Sequence, residues 1–203
     1  MDILLATNNQ GKVLELKKLL GELPFNVRSL QDFPQVGEIE ENGESFAENA
    51  LIKAKAGARA TGILTLADDS GLEVDVLQGE PGVRSARFAG EPKNDSRNNA
   101  KLLELLKDIP LYRRAARFKS VIALVTPEGE EFVTEGTCEG LISLEPKGQG
   151  GFGYDPLFYV PEYDRSFAEL SLEEKNAISH RGKALRAAAA MLERLAKTPE
   201  TVQ

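Results

Sequence analysis

Along the chain, the first hydrophobic pattern is a short run from Ile3 to Ala6, then a polar stretch, then leucines at 16, 19, 20 and 23. The leucines follow the i, i+3, i+4, i+7 stripe of an amphipathic helix, so the opening predicts strand, polar loop and helix. A second helix is expected from Ser45, whose spacing to Glu48 is that of a capping box, to a stop at Gly62. Ile63 to Ala67 reads as a buried strand ending in the turn-like Asp68-Asp69-Ser70-Gly71, after which Leu72, Val74 and Val76 alternate with Glu73 and Asp75. Asn94 or Asp95 can cap a third helix, with Leu102, Leu105, Leu106 and Ile109 on one face and Pro110 as its stop. Phe118 to Val125 and Glu131 to Thr137 flank Pro127-Glu128-Gly129-Glu130 and predict an antiparallel hairpin, which makes the sheet mixed. Beyond the glycine-rich stretch at 148–153, a strand is expected over Leu157 to Val160 and the rest is helical. Ser171 and Glu174 repeat the capping-box spacing, Ser179 caps the last helix, and Leu185, Ala188, Leu192 and Leu195 form its buried face. Residues 198–203 are expected to fray.

Composition narrows the class. A chain of 203 residues fits one domain, or one core with two lobes, on a prior of about 150 residues per domain. With 41% hydrophobic and 28% charged residues, disorder and disulfide scaffolds are poor readings. Lys plus Arg number 25 against 32 Asp plus Glu, a net charge of −7, which gives little attraction for a nucleic-acid backbone. Cys138 and His180 are the only residues of their types, too few for a Cys/His zinc site, so a metal would sit on oxygen ligands. No apolar run approaches the roughly 18 residues of a membrane span, and the start Met1-Asp2-Ile3 lacks the basic flank of a signal peptide. The expectation is a cytoplasmic protein with neither membrane nor nucleic acid as partner.

Four constellations carry candidate chemistry. Thr7-Asn8-Asn9-Gln10-Gly11-Lys12 lies between strand and helix, where free N–H groups, a dipole end and a lysine suit a phosphate; a capped turn with a solvated lysine fits the same spacing. Asp68 and Asp69 follow a buried strand, and Glu40 and Glu41 occupy another loop. Carboxylates from two loops favour a hard ion such as Mg²⁺, although Asp-Asp-Ser-Gly is also ordinary turn chemistry. Phe152, Gly153, Tyr154 and Asp155 could offer stacking surface and an acceptor to a nucleoside; alternatively the glycines serve positive φ and Phe152 lies in the core. His180 and Arg181 open a helix, with Lys175 just before, and cations there oppose the macrodipole unless a ligand compensates. They could read an oxo group on a base, or simply begin a surface helix.

Taken together, these residues resemble the inosine triphosphate pyrophosphatase family, the Ham1-like nucleoside triphosphate pyrophosphatases. The resemblance rests on Thr7 to Lys12, Phe46-Ala47-Glu48-Asn49-Ala50, Ala67 to Leu72, Gly151-Phe152-Gly153-Tyr154-Asp155-Pro156 and Ser179-His180-Arg181-Gly182, in order along almost the whole chain. It implies an α/β fold, a mixed twisted β-sheet with flanking helices and two lobes around a central substrate cleft, usually as a homodimer. It also implies Mg²⁺-dependent hydrolysis of noncanonical purine nucleoside triphosphates (ITP, dITP, XTP) to the monophosphate and pyrophosphate. By position, Thr7, Asn8, Asn9, Gln10, Gly11 and Lys12 would hold the phosphates, with Lys12 also aiding catalysis, and Glu40 and Asp69 would hold the metal. Asp69 would accept the proton, with Asp68 sharing the work, and Ser70, Phe152, Gly153, Tyr154, Asp155, Lys175, His180 and Arg181 would contact the substrate.

The residue chemistry agrees with that implication. Hypoxanthine and xanthine present a 6-oxo acceptor where adenine presents an amino donor, so a donor from His180 or Arg181 would leave adenine mispaired at a cost of about 1 to 3 kcal/mol. Two other functions fit the same residues: a nucleotide-binding module without catalysis, and a pyrophosphatase for modified pyrimidine nucleotides, since stacking tolerates either ring.

Overall fold

Seven strands pair into one sheet in the computed structural model, which describes residues 1–7, 13–14, 16–18 and 24–197. Asn8, Asn9, Gln10, Gly11 and Lys12 of the expected phosphate loop, three leucines of the first stripe (19, 20 and 23) and the 198–203 tail lie outside the described residues. The strands are β1 (Asp2–Leu5), β2 (Asn26–Ser29), β3 (Leu64–Val74), β4 (Ala115–Val125), β5 (Glu131–Ile142), β6 (Phe158–Val160) and β7 (Arg165–Ser166). Their order is β2-β1-β3-β4-β5-β6-β7. β1 runs parallel to β2 and β3, whereas β5, β6 and β7 pair antiparallel, so the sheet is mixed as expected. Four helices follow the predicted starts: α1 (Phe46–Thr61), α2 (Asp95–Leu106), α3 (Leu172–Ile178) and α4 (His180–Lys197).

Local chemistry explains the boundaries. At the start of α1, Ser45 Oγ accepts from Glu48 N at 3.2 Å while Glu48 Oε2 accepts from Ser45 N, and Gly62 ends the helix at φ +65°. The β4–β5 hairpin closes on a tight turn in which Gly129 N donates to Thr126 O and Thr126 N to Glu130 O, both at 3.0 Å, with Gly129 at φ +94°.

Two expectations are corrected. Asp68-Asp69-Ser70-Gly71 is not a turn: β3 runs unbroken through it, because the apolar positions on both sides continue a single extended segment and Asp68 is buried within it. The third helix stops at Leu106, four residues before Pro110, so Leu105 is exposed and Ile109 packs from the following turn, where its N–H reaches Leu106 O. β4 and β5 extend further than expected, from Ala115 and to Ile142.

The chain divides into two compact units, each with its own core. The first takes Met1–Asp69, Val121–Glu135 and the segment from Lys183, and buries Ile3, Leu5, Leu16, Leu64, Leu66, Ile122, Leu124 and Leu192. Here α1 lies close on β1 and β3 at Gly57, where an added Cβ would fall 2.8 Å from Thr65 Cγ2 and 3.1 Å from Leu4 Cδ2. The second unit takes Ser70–Ser120 and Gly136–Gly182 and is built around Phe118, Phe158 and Phe167, with ring centroids 4.6 Å apart for Phe118–Phe158 and 4.8 Å for Phe158–Phe167.

One buried cation organises the end of α2. Arg114, 2% exposed, donates through Nε to Ile109 O (2.8 Å), through Nη1 to Ser143 O (3.0 Å) and through Nη2 to Leu106 O (2.7 Å). The guanidinium fork thus ties the end of α2, the turn after it and the residue following β5 to one side chain. Arg114→Ala is expected to lower stability by about 2 kcal/mol or more, since Ile109 O and Ser143 O lose this donor, Leu106 O keeps the Ile109 N–H, and a buried carbonyl left unpaired costs about 1 to 3 kcal/mol. Arg114→Lys should recover only part of that, because one ammonium does not span three carbonyls; urea melts in which Lys restores full stability would contradict this account.

Candidate active site

In the first unit the capping box that starts α1 also places two side chains of its first turns. Asn49, 3% exposed, accepts from Gly43 N at 2.8 Å through Oδ1 and donates through Nδ2 to Asp69 Oδ2 at 3.1 Å. Gly43 is a glycine by necessity of space, because an added Cβ would fall 2.7 Å from Glu48 Cβ and 2.8 Å from Asn49 Oδ1. Lys53, one helical turn beyond Asn49 on the same face, reaches Glu41 Oε2 at 3.0 Å and stands 3.9 Å from Asp69 Oδ1. Glu41, Asn49, Lys53 and Asp69 therefore form one cluster in which an ammonium offsets two carboxylates, an arrangement that water screens weakly because Lys53 and Asp69 are only 13% and 15% exposed.

The expected site residues of these elements are placed in different ways. Adjacent strand residues face opposite sides, and Asp68 is buried while Asp69 keeps partial access. Glu40 is exposed, and it is its neighbour Glu41 that reaches Lys53. Thr7 follows β1, its carbonyl accepting from Leu30 N at 3.3 Å, and Ser70 is half-buried in β3.

A divalent cation fits the chemistry of this cluster. The Asn49 amide orients the Asp69 carboxylate, and carboxylate oxygens are the donor type that a hard ion prefers. Among the described residues no three Asp, Glu, His or Cys side chains converge.

The second unit holds the glycine loop. Asp155, 2% exposed, turns its Oδ2 back on the loop, accepting from Phe152 N at 2.8 Å and from the Lys175 ammonium. An added Cβ on Gly151, at φ +74°, would strike that carboxylate at 2.0 Å. Phe152 is not a core residue: it is 66% exposed, with Lys175 Nζ 4.9 Å from its ring centroid. Tyr154, next but one, is buried with its hydroxyl donating to Ser85 O at 2.8 Å. Burial, and then the charge of Asp95, push its phenol well above the usual range, so it stays a neutral donor. Gly153 donates its N–H to Asp95 Oδ2 at 2.8 Å and accepts from Asn99 Nδ2 at 2.9 Å.

The cationic group of the same unit is ordered as its spacing suggested. Ser171 caps α3, which carries Lys175, and Ser179 Oγ accepts from Gly182 N at 3.1 Å at the start of α4. The His180 ring stacks on Phe118 with centroids 4.8 Å apart and planes 15° from parallel, and Arg181 beside it is half-buried. Sequence reasoning missed Asn49 and Lys53 as site residues. The signal was their i, i+4 spacing in a helix whose capping box had already been placed.

Comparisons with known proteins cover nearly the whole chain. A sequence model of the Ham1 family matches residues 3–191. A dITP/XTP pyrophosphatase of Desulforamulus reducens is 60% identical over 195 residues, spanning 96% of this chain and 97% of its own. The solved structure of the Staphylococcus aureus Ham1 protein superposes with a TM-score of 0.91 at 42% identity, covering 96% of this chain and 100% of that one. That of a nucleoside-triphosphatase, dITP/XTP pyrophosphatase, of Mycobacterium abscessus gives 0.82 at 52% identity, covering 95% and 99%.

The helix that carries Lys175 has a pH signature. Glu174 accepts from Arg165 Nη2 at 2.7 Å and from Ser171 N at 2.8 Å. The Arg165 guanidinium first, and the Ser171 cap after it, lower its carboxyl from the ordinary 4.5 to about 2. A folded pKa below the unfolded one means that the contribution is complete above the ordinary value and is lost as pH falls toward the folded one. Glu174→Gln is expected to melt below the parent at neutral pH, with the gap constant down to about pH 5 and closing between about 4.5 and 2. A gap in Tm that persists unchanged to the acid end would show that the ionised carboxylate is not its cause.

Proposed function

The chain belongs to the Ham1 family, and we propose that it hydrolyses noncanonical purine nucleoside triphosphates (dITP, XTP and ITP) to the monophosphate and pyrophosphate, with Mg²⁺ as cofactor. The observation that carries this reading is the Asp69 carboxylate, held by the Asn49 amide and flanked by the Lys53 ammonium, in a chain 60% identical to a dITP/XTP pyrophosphatase.

Water attacks the α-phosphorus, the bond to the oxygen bridging to the β-phosphate breaks, pyrophosphate leaves, and the proton of the water passes to a carboxylate. Asp69 is the acceptor in this proposal, because it keeps partial access where Asp68 is buried and the Asn49 amide holds its carboxylate in place. Asp68, buried on the alternate side of β3, would support that strand rather than meet the water. Lys53 supplies positive charge beside the acids, where polyphosphate charge has to be offset. Asp69 together with Glu41 or Glu40 would hold Mg²⁺, which supplies charge neutralisation on the polyphosphate and a more acidic bound water. In the second unit, exposed Phe152 offers a face for a purine, and His180 and Arg181 offer donors suited to a 6-oxo group. Asp155 acts through the loop and Lys175 rather than as an open acceptor. A homodimer working in a reducing cytoplasm is part of the same proposal, in keeping with a single, buried cysteine.

The deciding assay incubates the protein and Mg²⁺ with dITP, XTP, ITP, dATP and dGTP and scores pyrophosphate against orthophosphate. Pyrophosphate from dITP, XTP and ITP, with little from dATP or dGTP, is expected, with turnover abolished by chelation and restored by Mg²⁺. Asp69→Asn should cut kcat by about 100-fold or more, the range for removing a general base. Arg181→Ala should shrink the dITP over dATP preference by roughly tenfold, as one mispaired donor implies. Tight nucleotide binding without product would instead favour a binding module, and parent-level turnover by Asp69→Asn would remove that residue from catalysis.

A further inference from the structure

Across Gly153 the chain passes from a fully presented aromatic, Phe152, to a buried one, Tyr154, within two residues. The hinge of that reversal has φ +60°, with nothing within 4 Å of where a Cβ would stand. Its glycine is therefore demanded by backbone conformation and not by crowding. Such a residue keeps one conformation only where its surroundings determine it.

Both backbone polar groups of Gly153 are met by one helix. Asp95 Oδ2 accepts from Gly153 N at 2.8 Å, and Asn99 Nδ2 donates to Gly153 O at 2.9 Å. The two side chains stand four residues apart in the first turns of α2, on one face. Neighbouring Asn98, 2% exposed, ties the same helix to the segment that receives the Tyr154 hydroxyl: its Oδ1 accepts from Ala89 N at 2.8 Å and its Nδ2 donates to Ser85 O and Ala86 O. On the other side of the hinge, Phe152 N is held by Asp155, whose carboxylate also binds Lys175. A phenylalanine 66% exposed on so constrained a backbone is a surface held ready for a flat partner.

We infer that Asp95 and Asn99 are positioning residues for nucleobase selection: by clamping the Gly153 peptide they set where the Phe152 ring stands, without touching the substrate themselves. The inference rests on the pyrophosphatase reading for the identity of the base, and on the clamp geometry alone for the fixing of the ring.

The test separates those two supports. Asp95→Ala and Asn99→Ala remove one contact each. Asp95→Asn retains an acceptor for Gly153 N while losing the charge at the helix start, and so controls for the general effect on α2. For the two alanine variants, KM for dITP is expected to rise about fivefold to tenfold with kcat changed less than about twofold, and the dITP over dATP ratio of kcat/KM to fall by a similar factor. Asp95→Asn should restore both. The chain has no tryptophan, so Phe152→Trp places a single reporter on the loop. In that background either alanine change should lower tryptophan anisotropy and increase acrylamide quenching, and Asp95→Asn should not. Equal losses of stability and activity in Asp95→Ala and Asp95→Asn, with unchanged anisotropy and an unchanged dITP over dATP ratio, would overturn the clamp. A parent that releases no pyrophosphate would overturn the pyrophosphatase reading and with it the role in base selection, while the anisotropy would still decide whether α2 fixes the ring.

Discussion

The amide of Asn49 is the joint on which the candidate catalytic cluster depends. It is buried, it accepts from the loop at Gly43 and donates to the carboxylate of Asp69, and it does both because α1 begins where it does. A shift of α1 by one residue would rotate Asn49 by about 100° around the helix axis and break both contacts. The capping box at Ser45 and Glu48 is therefore more than a helix start: it sets the phase of the face that presents Asn49 and Lys53. Gly57 sets the depth, since only a residue without Cβ lets that face approach Thr65 so closely. Sequence, helix phase and carboxylate position form a single chain of causes within the first unit.

Much of this was readable from residue order, and what was not has physical reasons. Helix starts at Ser45, Asn94, Ser171 and Ser179 announced themselves because capping chemistry is local, confined to residues three or four apart. β2 and β7 did not, because segments of four and two residues, Asn-Val-Arg-Ser and Arg-Ser, owe their extended form to neighbouring strands rather than to a pattern of their own. The Asp-Asp-Ser-Gly stretch misled for a related cause. Its residues favour turns in isolation, yet β3 carries them through as a strand flanked by buried residues on both sides. Arg114 left no signal, as its three acceptors are backbone carbonyls brought together only by the fold.

For the site itself, the residue types were readable and the partners were not. Asp69, Phe152, Lys175 and His180 were singled out by motif. That Glu41 rather than Glu40 reaches Lys53, and that Asp155 faces its own loop, follow from side-chain directions that depend on local backbone. Lys53 was passed over because a lysine in the middle of an Ala-rich helix is ordinarily a solvated one; it matters here because α1 lies against β3.

The two units treat a carboxylate in parallel ways with different outcomes. Asp69 and Asp155 each accept from an N–H donor and are attended by a lysine from a helix with a capped start. In the second unit the lysine binds Asp155 directly, and the acid lies almost fully out of water, so its negative charge is consumed in holding the loop. In the first unit Lys53 is drawn instead to Glu41 at 3.0 Å and stands off from Asp69 at 3.9 Å. Asp69 consequently feels the positive charge of Lys53 without a close ion pair to it. The distance at which a lysine is held thus distinguishes the two carboxylates, and Glu41, by taking the ammonium at 3.0 Å, is what draws Lys53 away from Asp69.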